Sequence, residues 1–400
     1  MNVVVAVVFW VALLVLIYTL FGYPLIIATM ANRRDRPTYT GQFLPSVTLI
    51  IPAYNEEVVI GRKIENSLKL NYPKDKIQIL VAADGSSDRT PDIVREFATF
   101  GVELSYTPER GGKMAAINRA ISKTRGDIIV FSDANNFYEE DSIQRLVAPF
   151  EDEKVGGTTG AKLIIEDERD LSSAEGFYWK YESAIKLNES IVSSCTSAVG
   201  EMLAIRKDLF EFPPSNVIND DRYIVVDLIR RGYRVEYVPE ARSFEYVSAS
   251  AKDEIKRRRR MNAGGFQIIS MSRELLPKGK WLEIWKIVSH KYLRTLLPFA
   301  MIIVLAANVA AVILPANNAS QSFILLGKPY NWIFLFLQIG FYILALIGNI
   351  FPKKGKSKIK KIMYLPTFFV NSNLAIISGL FMFLQDEDSH IWERVERFEG

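Results

Sequence analysis

Three apolar runs in this sequence stop on polar side chains able to do chemistry. "DIIVFSDANN", residues 127–136, is apolar and β-branched until Asp133, with Asn135 two residues later. "IQILVAAD" ends on Asp84, and "VTLIIPAYNEE" runs into Asn55 and Glu56. Alternate residues of a strand share a side, and hard divalent cations take oxygen ligands. Asp133 and Asn135 therefore suit a cation that carries a diphosphate. Farther on, Asp220 and Asp221 precede the helical pattern "RYIVVDLIRRG", and Glu201 interrupts the apolar "AVGEMLAI". A carboxylate such as Asp221 can take a proton from a substrate hydroxyl as general base. Each position also has a structural reading. Asp133 and Asp220 can cap the helices that follow them, and Glu201 can be a satisfied core carboxylate.

Other chemistries are disfavoured. The only histidines are His290 and His390, far from these strands, which argues against a Ser-His-Asp triad or a histidine-rich metal site. One cysteine, Cys195, excludes an internal disulfide framework. "RGGKM" (110–114) lacks the first glycine and the Ser/Thr of a P-loop, and no G-x-G-x-x-G follows the first strand. A formal charge of +4 does not point to nucleic acid. The basic run Lys256–Arg260 reads as membrane-proximal charge and as a source of one or two arginines for a leaving diphosphate.

The elements that must position these residues follow from the pattern between Pro45 and Ser250. Strand-like runs alternate with helical patterns near 57–70, 88–99, 112–122 and 138–150, and "YRVEYVP" reads as a later strand. Such alternation predicts an α/β domain with a parallel sheet covered on both faces. Ligands bind such sheets at the carboxyl ends of the strands.

The ends of the chain read differently. Residues 3–31 are apolar for more than the about 20 residues a bilayer crossing needs. The stretch lacks a basic start and a small-residue cleavage site, so residues 1–31 are expected to be a retained transmembrane helix. Three further spans are expected at about 296–314, 331–351 and 365–384. The last carries Asn371, Ser372 and Asn373 and reads as re-entrant or as packed on other helices. Residues 263–295 mix tryptophans with lysines, as helices lying in a membrane interface do; a plain amphipathic surface helix is the alternative. Arg33, Arg34, Arg36 and "KKGKSKIKK" place residues 32–295 on the cytoplasmic side of a plasma (inner) membrane, with residues 385–400 a short tail outside.

Taken together, these residues resemble membrane-embedded, inverting family 2 glycosyltransferases of GT-A fold, such as cellulose, hyaluronan and poly-N-acetylglucosamine synthases. The resemblance implies a catalytic domain over residues 45–262 and three C-terminal spans over 296–384. "IPAYNEE" matches the opening strand, where Pro52, Ala53, Tyr54 and Glu56 would hold a uridine. "ADGSSD" would put Asp84 at the base or ribose, and "GGKMAAIN" supplies Lys113 and Asn118. "SDAN" stands where the family has Asp-x-Asp, so Asp133 and Asn135 would hold Mg2+ or Mn2+. "NDD" makes Asp221 the catalytic base. "RRRRM" stands for Gln-x-x-Arg-Trp, with Arg260 on the donor diphosphate. Glu201, Asp220 and Met261 would lie on the acceptor side. Two positions depart from the pattern: Asn135 keeps a ligand oxygen without a charge, and Arg257 and Met261 replace the Gln and Trp. The implied activity is transfer from a UDP-sugar to a growing polysaccharide or lipid-linked acceptor, with export partner subunits. A single-sugar transferase to a polyprenyl-linked acceptor and a non-catalytic nucleotide-sugar sensor are the alternatives.

Overall fold

The computed structural model describes residues 2–165, 171–214, 216–246, 251–314, 322–350 and 358–385. The tail expected over 385–400 lies outside them, except for Gln385.

An eight-stranded sheet forms the centre of the α/β part. Its strands are β1 (Val47–Ala53), β2 (Ile77–Asp84), β3 (Val102–Thr107), β4 (Ile128–Phe131), β5 (Asn136–Tyr138), β6 (Val155–Ile165), β7 (Leu203–Arg206) and β8 (Arg234–Tyr246). They lie in the order β3-β2-β1-β4-β7-β6-β8-β5. The first four are parallel, as expected. The other half is mixed: β7 runs antiparallel to both β4 and β6, and β5 antiparallel to β8, while β6 and β8 pair in parallel. The sheet is therefore mixed rather than parallel throughout.

Both faces are covered. The helices α2 (Ile60–Leu68), α3 (Thr90–Glu96) and α5 (Ser142–Val147) pack Ile64, Val94 and Leu146 against one face. On the other, α4 (Lys113–Ile121) and α7 (Asp220–Arg231) contribute Ile117, Ala120, Val225 and Leu228. β1 is buried at every residue, as a central parallel strand must be.

β1 also fixes where the sheet opens. Its pairing with β2 continues to Ala53↔Ala83, whereas its pairing with β4 ends at Ile50↔Phe131. Pro52 has no N–H to donate and lies past the last β4 partner, where no bond on that side is lost. Strand order reverses at β1, with β2 on one side and β4 on the other. This switch point leaves a crevice beyond the strand ends.

Four helices are long and apolar enough to cross a membrane: Val3–Ala31, Trp281–Ile313, Tyr330–Ile350 and Leu365–Leu384. Below, α1 is Val3–Ala31, α6 is Leu171–Val192, α8 is Ala251–Ser270, α9 is Ser272–Leu275 and α10 is Trp281–Ile313. Tyr330–Ile350 is α11 and Lys358–Leu384 is α12. The last of them lies within one continuous helix. Asn371 exchanges hydrogen bonds with Asn349 of α11, and Asn373 donates to the Phe369 carbonyl.

Of the residues 263–295 expected as interfacial helices, those from Trp281 on form the first part of α10 and continue into its apolar part. The polar side chains of that first part face protein: Lys286, His290 and Lys291 are buried. On α6, Glu182 accepts from Lys291 at 2.7 Å, meets His290 at 3.2 Å and pairs with Arg294. Glu189 bonds His290 Nδ1 at 2.8 Å and accepts from the Tyr23 hydroxyl of α1. Buried charges need such partners, and they bolt α6 to α1 and α10.

Candidate active site

The loops at the crevice are stitched by side chain to backbone. Asn55 takes a positive φ of 53°, a conformation Asn tolerates better than most residues. Its Oδ1 accepts from Ser87 N at 2.9 Å, and Glu56 N donates to Thr90 Oγ1 at 2.8 Å. Pro52 and Ala53 are buried in β1, and Tyr54 follows them. The Arg110 guanidinium lies 4.0 Å from the centre of the Tyr54 ring, joining the β1 loop to the loop after β3.

Asp84 is buried at the end of β2, where its two oxygens accept from Gly111 N at 3.1 Å and Gly112 N at 2.7 Å. It thus pins the glycine turn that starts α4. Gly85 has φ +61°, and a Cβ there would stand 2.8 Å from Arg110 N. Only glycine permits this approach.

Lys113, first residue of α4, donates to Asp133 Oδ1 at 2.9 Å, with both side chains mostly buried. Burial lowers the lysine pKa, but Asp133, Asp220 and Asp221 outweigh it and hold the ammonium above its ordinary value. Farther along α4, the Asn118 amide oxygen is buried without a partner among the described residues. Asp133 and Asn135 do not lie on a strand, because β4 ends at Phe131. They belong to the turn closed by Asn136 N on the Asp133 carbonyl at 3.3 Å. Asp133 caps no helix.

Asp220 and Asp221 occupy the first turn of α7, preceded by Asn219. Lys113, Asp220 and Asp221 line one small pocket with Gly200, Phe131 and Ile224. Burial, then the neighbouring Asp220, push the Asp221 carboxyl up to about 6, against the pull of Arg222 and Lys113. Arg260 of α8 is half-buried and within electrostatic reach of Asp220, Asp133 and Asp221; burial lowers its pKa. Glu201 is raised by burial and by Asp133, yet its carboxylate pairs with the Lys162 ammonium at 2.8 Å. Glu201 stands beside the site, ion-paired to Lys162, while its buried Oε1 accepts no hydrogen bond among the described residues. Met261 contributes its carbonyl, which accepts from Asn219 Nδ2 at 2.9 Å; its side chain is 46% exposed and meets Arg257.

Residues not singled out in the sequence complete the frame. Gly264 lets α8 approach α7: a Cβ there would fall 2.5 Å from Asn219 Cγ. Gln267 brackets the preceding loop, accepting from Ile218 N at 2.9 Å and donating to Asn216 O at 2.7 Å. A Gly-Gly pair inside a charged helix signals such close approach.

Among the described residues, no three His, Cys, Asp or Glu side chains converge as a metal cage. One carboxylate and one amide oxygen in a single turn fit instead a hard ion that fills its shell with substrate phosphates and water.

Residues 48–212 match the model described as Glycosyl transferase family 2. The chain carries a family 2 glycosyltransferase domain. That domain contains Asp84, Lys113 and Asp133, while Asp221 and Arg260 lie beyond it. The probable glycosyltransferase YdaM of Bacillus subtilis is 29% identical over 248 residues, covering 56% of this chain and 56% of the relative. The poly-beta-1,6-N-acetyl-D-glucosamine synthase of Staphylococcus aureus is 26% identical over 247 residues, 58% of each chain. The chain thus spans little more than half the length of the curated relatives it matches. The mannosyltransferase PcManGT from Pyrobaculum calidifontis, solved with GDP-Man and Mn2+, superposes with a TM-score of 0.69 at 23% identity, covering 97% of this chain and 100% of that one. It shares the fold of the glycosyltransferase domain and its helices.

Proposed function

We propose that the chain is a membrane-bound inverting glycosyltransferase. It moves a sugar from a UDP-sugar to a hydroxyl of a growing polysaccharide or lipid-linked acceptor. The observation that carries this reading is the convergence of Lys113, Asp133 and Asp221 at the crevice between β1 and β4, with the Asp221 carboxyl raised to about 6. A base with a pKa near the working pH is mostly ionised yet still accepts a proton effectively.

The acceptor oxygen attacks the anomeric carbon opposite the diphosphate. The bond to the diphosphate breaks, and the hydroxyl proton passes to Asp221. Lys113 and Arg260 meet the negative charge that develops on the leaving group. Pro52, Ala53, Tyr54, Glu56 and Asp84 form the nucleoside end, and Asn118 supports the donor. Glu201, Asp220 and Met261 border the acceptor. Asp133 and Asn135 would hold Mg2+ or Mn2+, which supplies further charge neutralisation at the diphosphate. PcManGT, with its GDP-Man and Mn2+, supports a nucleotide-sugar donor and a divalent ion. The S. aureus relative, a polymer synthase by name, supports a polymer product; an export partner for such a polymer is part of the proposal. The four apolar helices support a multi-pass protein of the plasma membrane, its catalytic domain on the cytoplasmic side.

The test is nucleoside diphosphate release by detergent-purified protein, across UDP-sugars and GDP-mannose, with Mg2+, Mn2+ or EDTA. Metal-dependent release from one donor that disappears in Asp221→Asn supports the reading. Donor binding without release, unchanged in Asp221→Asn, would instead make the protein a sensor.

A further inference from the structure

On α2, Ile60, Lys63, Ile64 and Ser67 are buried. They lie on the helix face turned to the sheet, a stripe that an amphipathic helix fills with apolar side chains. Lys63 breaks the pattern, and none of its surface reaches solvent. Its Nζ donates to the Asn136 carbonyl and lies 4.0 Å from the centre of the Tyr138 ring. Among the described residues Lys63 forms no ion pair. Burial lowers its pKa to about 7, with Asp133 pulling the other way. A lysine head has three donors, and this one spends a single hydrogen bond in a place closed to water. Such burial costs stability.

What the amine holds is the end of the turn after β4. That turn is closed by Asn136 N on the Asp133 carbonyl. The Asn136 side chain does not brace it: both amide atoms are buried without a partner among the described residues. Tyr138, two residues on, is fixed separately. Asn66 of α2 donates to its carbonyl at 2.9 Å and accepts from its N–H at 2.9 Å, and the Tyr138 hydroxyl donates to the Glu201 carbonyl at 2.6 Å. α2 is thus tied to β5 without Lys63. The lysine adds one bond at the turn that carries Asp133 and Asn135.

We infer that Lys63 is a positioning residue: through the Asn136 carbonyl it holds the turn from Asp133 to Asn136 in the shape that presents the Asp133 and Asn135 oxygens to the cation of the donor. The inference rests on the glycosyltransferase reading and deepens it. Groups that orient metal ligands from behind commonly set metal affinity by tenfold or more. Charge alone would act the other way. A cation near Asp133 repels a divalent ion, so its removal would tighten binding. The two effects of Lys63 therefore differ in sign.

The experiment is Mn2+ binding to the full chain in detergent, read by electron paramagnetic resonance in the presence of UDP or GDP, for wild type, Lys63→Met and Lys63→Gln. Thermal melts of the same samples in EDTA accompany it. Lys63→Met should bind Mn2+ about tenfold more weakly than wild type. Its melting temperature should equal or exceed that of wild type, because an apolar side chain of similar volume replaces a buried amine. Lys63→Gln keeps N–H donors and should fall between the two in Mn2+ affinity. Equal or tighter Mn2+ binding by Lys63→Met would overturn the inference. So would weaker binding in both variants with a matching drop in melting temperature, which would make Lys63 a structural residue. Stabilisation by UDP or GDP in EDTA tests the reading beneath. Nucleotide binding intact with Mn2+ affinity unchanged in the variants overturns only the role of Lys63, whereas a wild type that binds neither nucleotide overturns the donor reading and the inference with it.

Discussion

Lys113 Nζ stands 2.9 Å from Asp133 Oδ1, linking the first turn of α4 to the turn after β4. The pair brings a fixed cation to the place proposed for the donor diphosphate. Removing the lysine takes one fixed cation away from Asp133 and from that diphosphate. Lys113→Ala should lower kcat/KM by about 100-fold while changing the melting temperature little, because the pair keeps some solvent contact. Steady-state nucleoside diphosphate release and a thermal melt check this. A large melting shift with normal turnover would make the pair structural.

Asp221→Asn should reduce turnover by roughly 1,000-fold with donor binding retained by calorimetry. Activity should rise with pH through an acid limb near 6, because the base works only when ionised. Stability has the opposite sign. Folding raises this carboxyl above its usual value, so its favourable contribution is complete below the unfolded pKa and is lost as pH rises through about 6. The Asn variant should therefore gain melting temperature relative to wild type at pH 8 but not at pH 4. Equal melting differences at both pH values would contradict the raised carboxyl.

Asn135→Asp restores a negative charge beside Asp133. The metal concentration for half-maximal release should fall roughly tenfold. A manganese titration of both proteins decides it, and identical curves would remove Asn135 from the metal shell.

Gly264→Ala places a methyl 2.5 Å from Asn219 Cγ and pushes α8 away from the turn that carries Asp220 and Asp221. Turnover should fall at least tenfold, with a change in nucleotide affinity smaller than that. Comparing KM with kcat separates this from general unfolding.

Glu182→Gln leaves Lys291 and Arg294 buried without their shared counter-charge. The expected cost is about 3 kcal/mol, read as a lower melting temperature in detergent. An unchanged melt would show that water or lipid headgroups already neutralise these cations.

Much of the first half of the sheet was legible, because β1, β2 and β4 are apolar runs that stop abruptly on polar residues. β6 was not: "VGGTTGAKLII" has three glycines and no alternation, and its pairing with β8 joins residues about eighty positions apart in sequence. β5 has three residues, too short for any period to show. The pairing of His290 and Lys291 of α10 was not legible, because their carboxylate partners, Glu189 and Glu182, lie some hundred residues earlier on a different helix. Asp84, Asp133 and Asp221 could be singled out from position, and Lys113 from the family resemblance. The Asp84 bonds to two glycine N–H groups, and the Gly264 contact that seats Asn219, depend on distances that spacing cannot reveal.

The cluster centred on Glu182 and Glu189 ties α1, α6 and α10 into one unit, and the strand ends are carried on that unit. In the membrane-bound reading proposed above, the glycosyltransferase domain therefore has no free swivel over the bilayer. Its strand ends would sit at a fixed altitude, and an acceptor carried by a lipid would have to rise to meet them. Such a mount works as a ruler: it would select acceptors by how many sugar units already separate the reacting hydroxyl from the membrane plane.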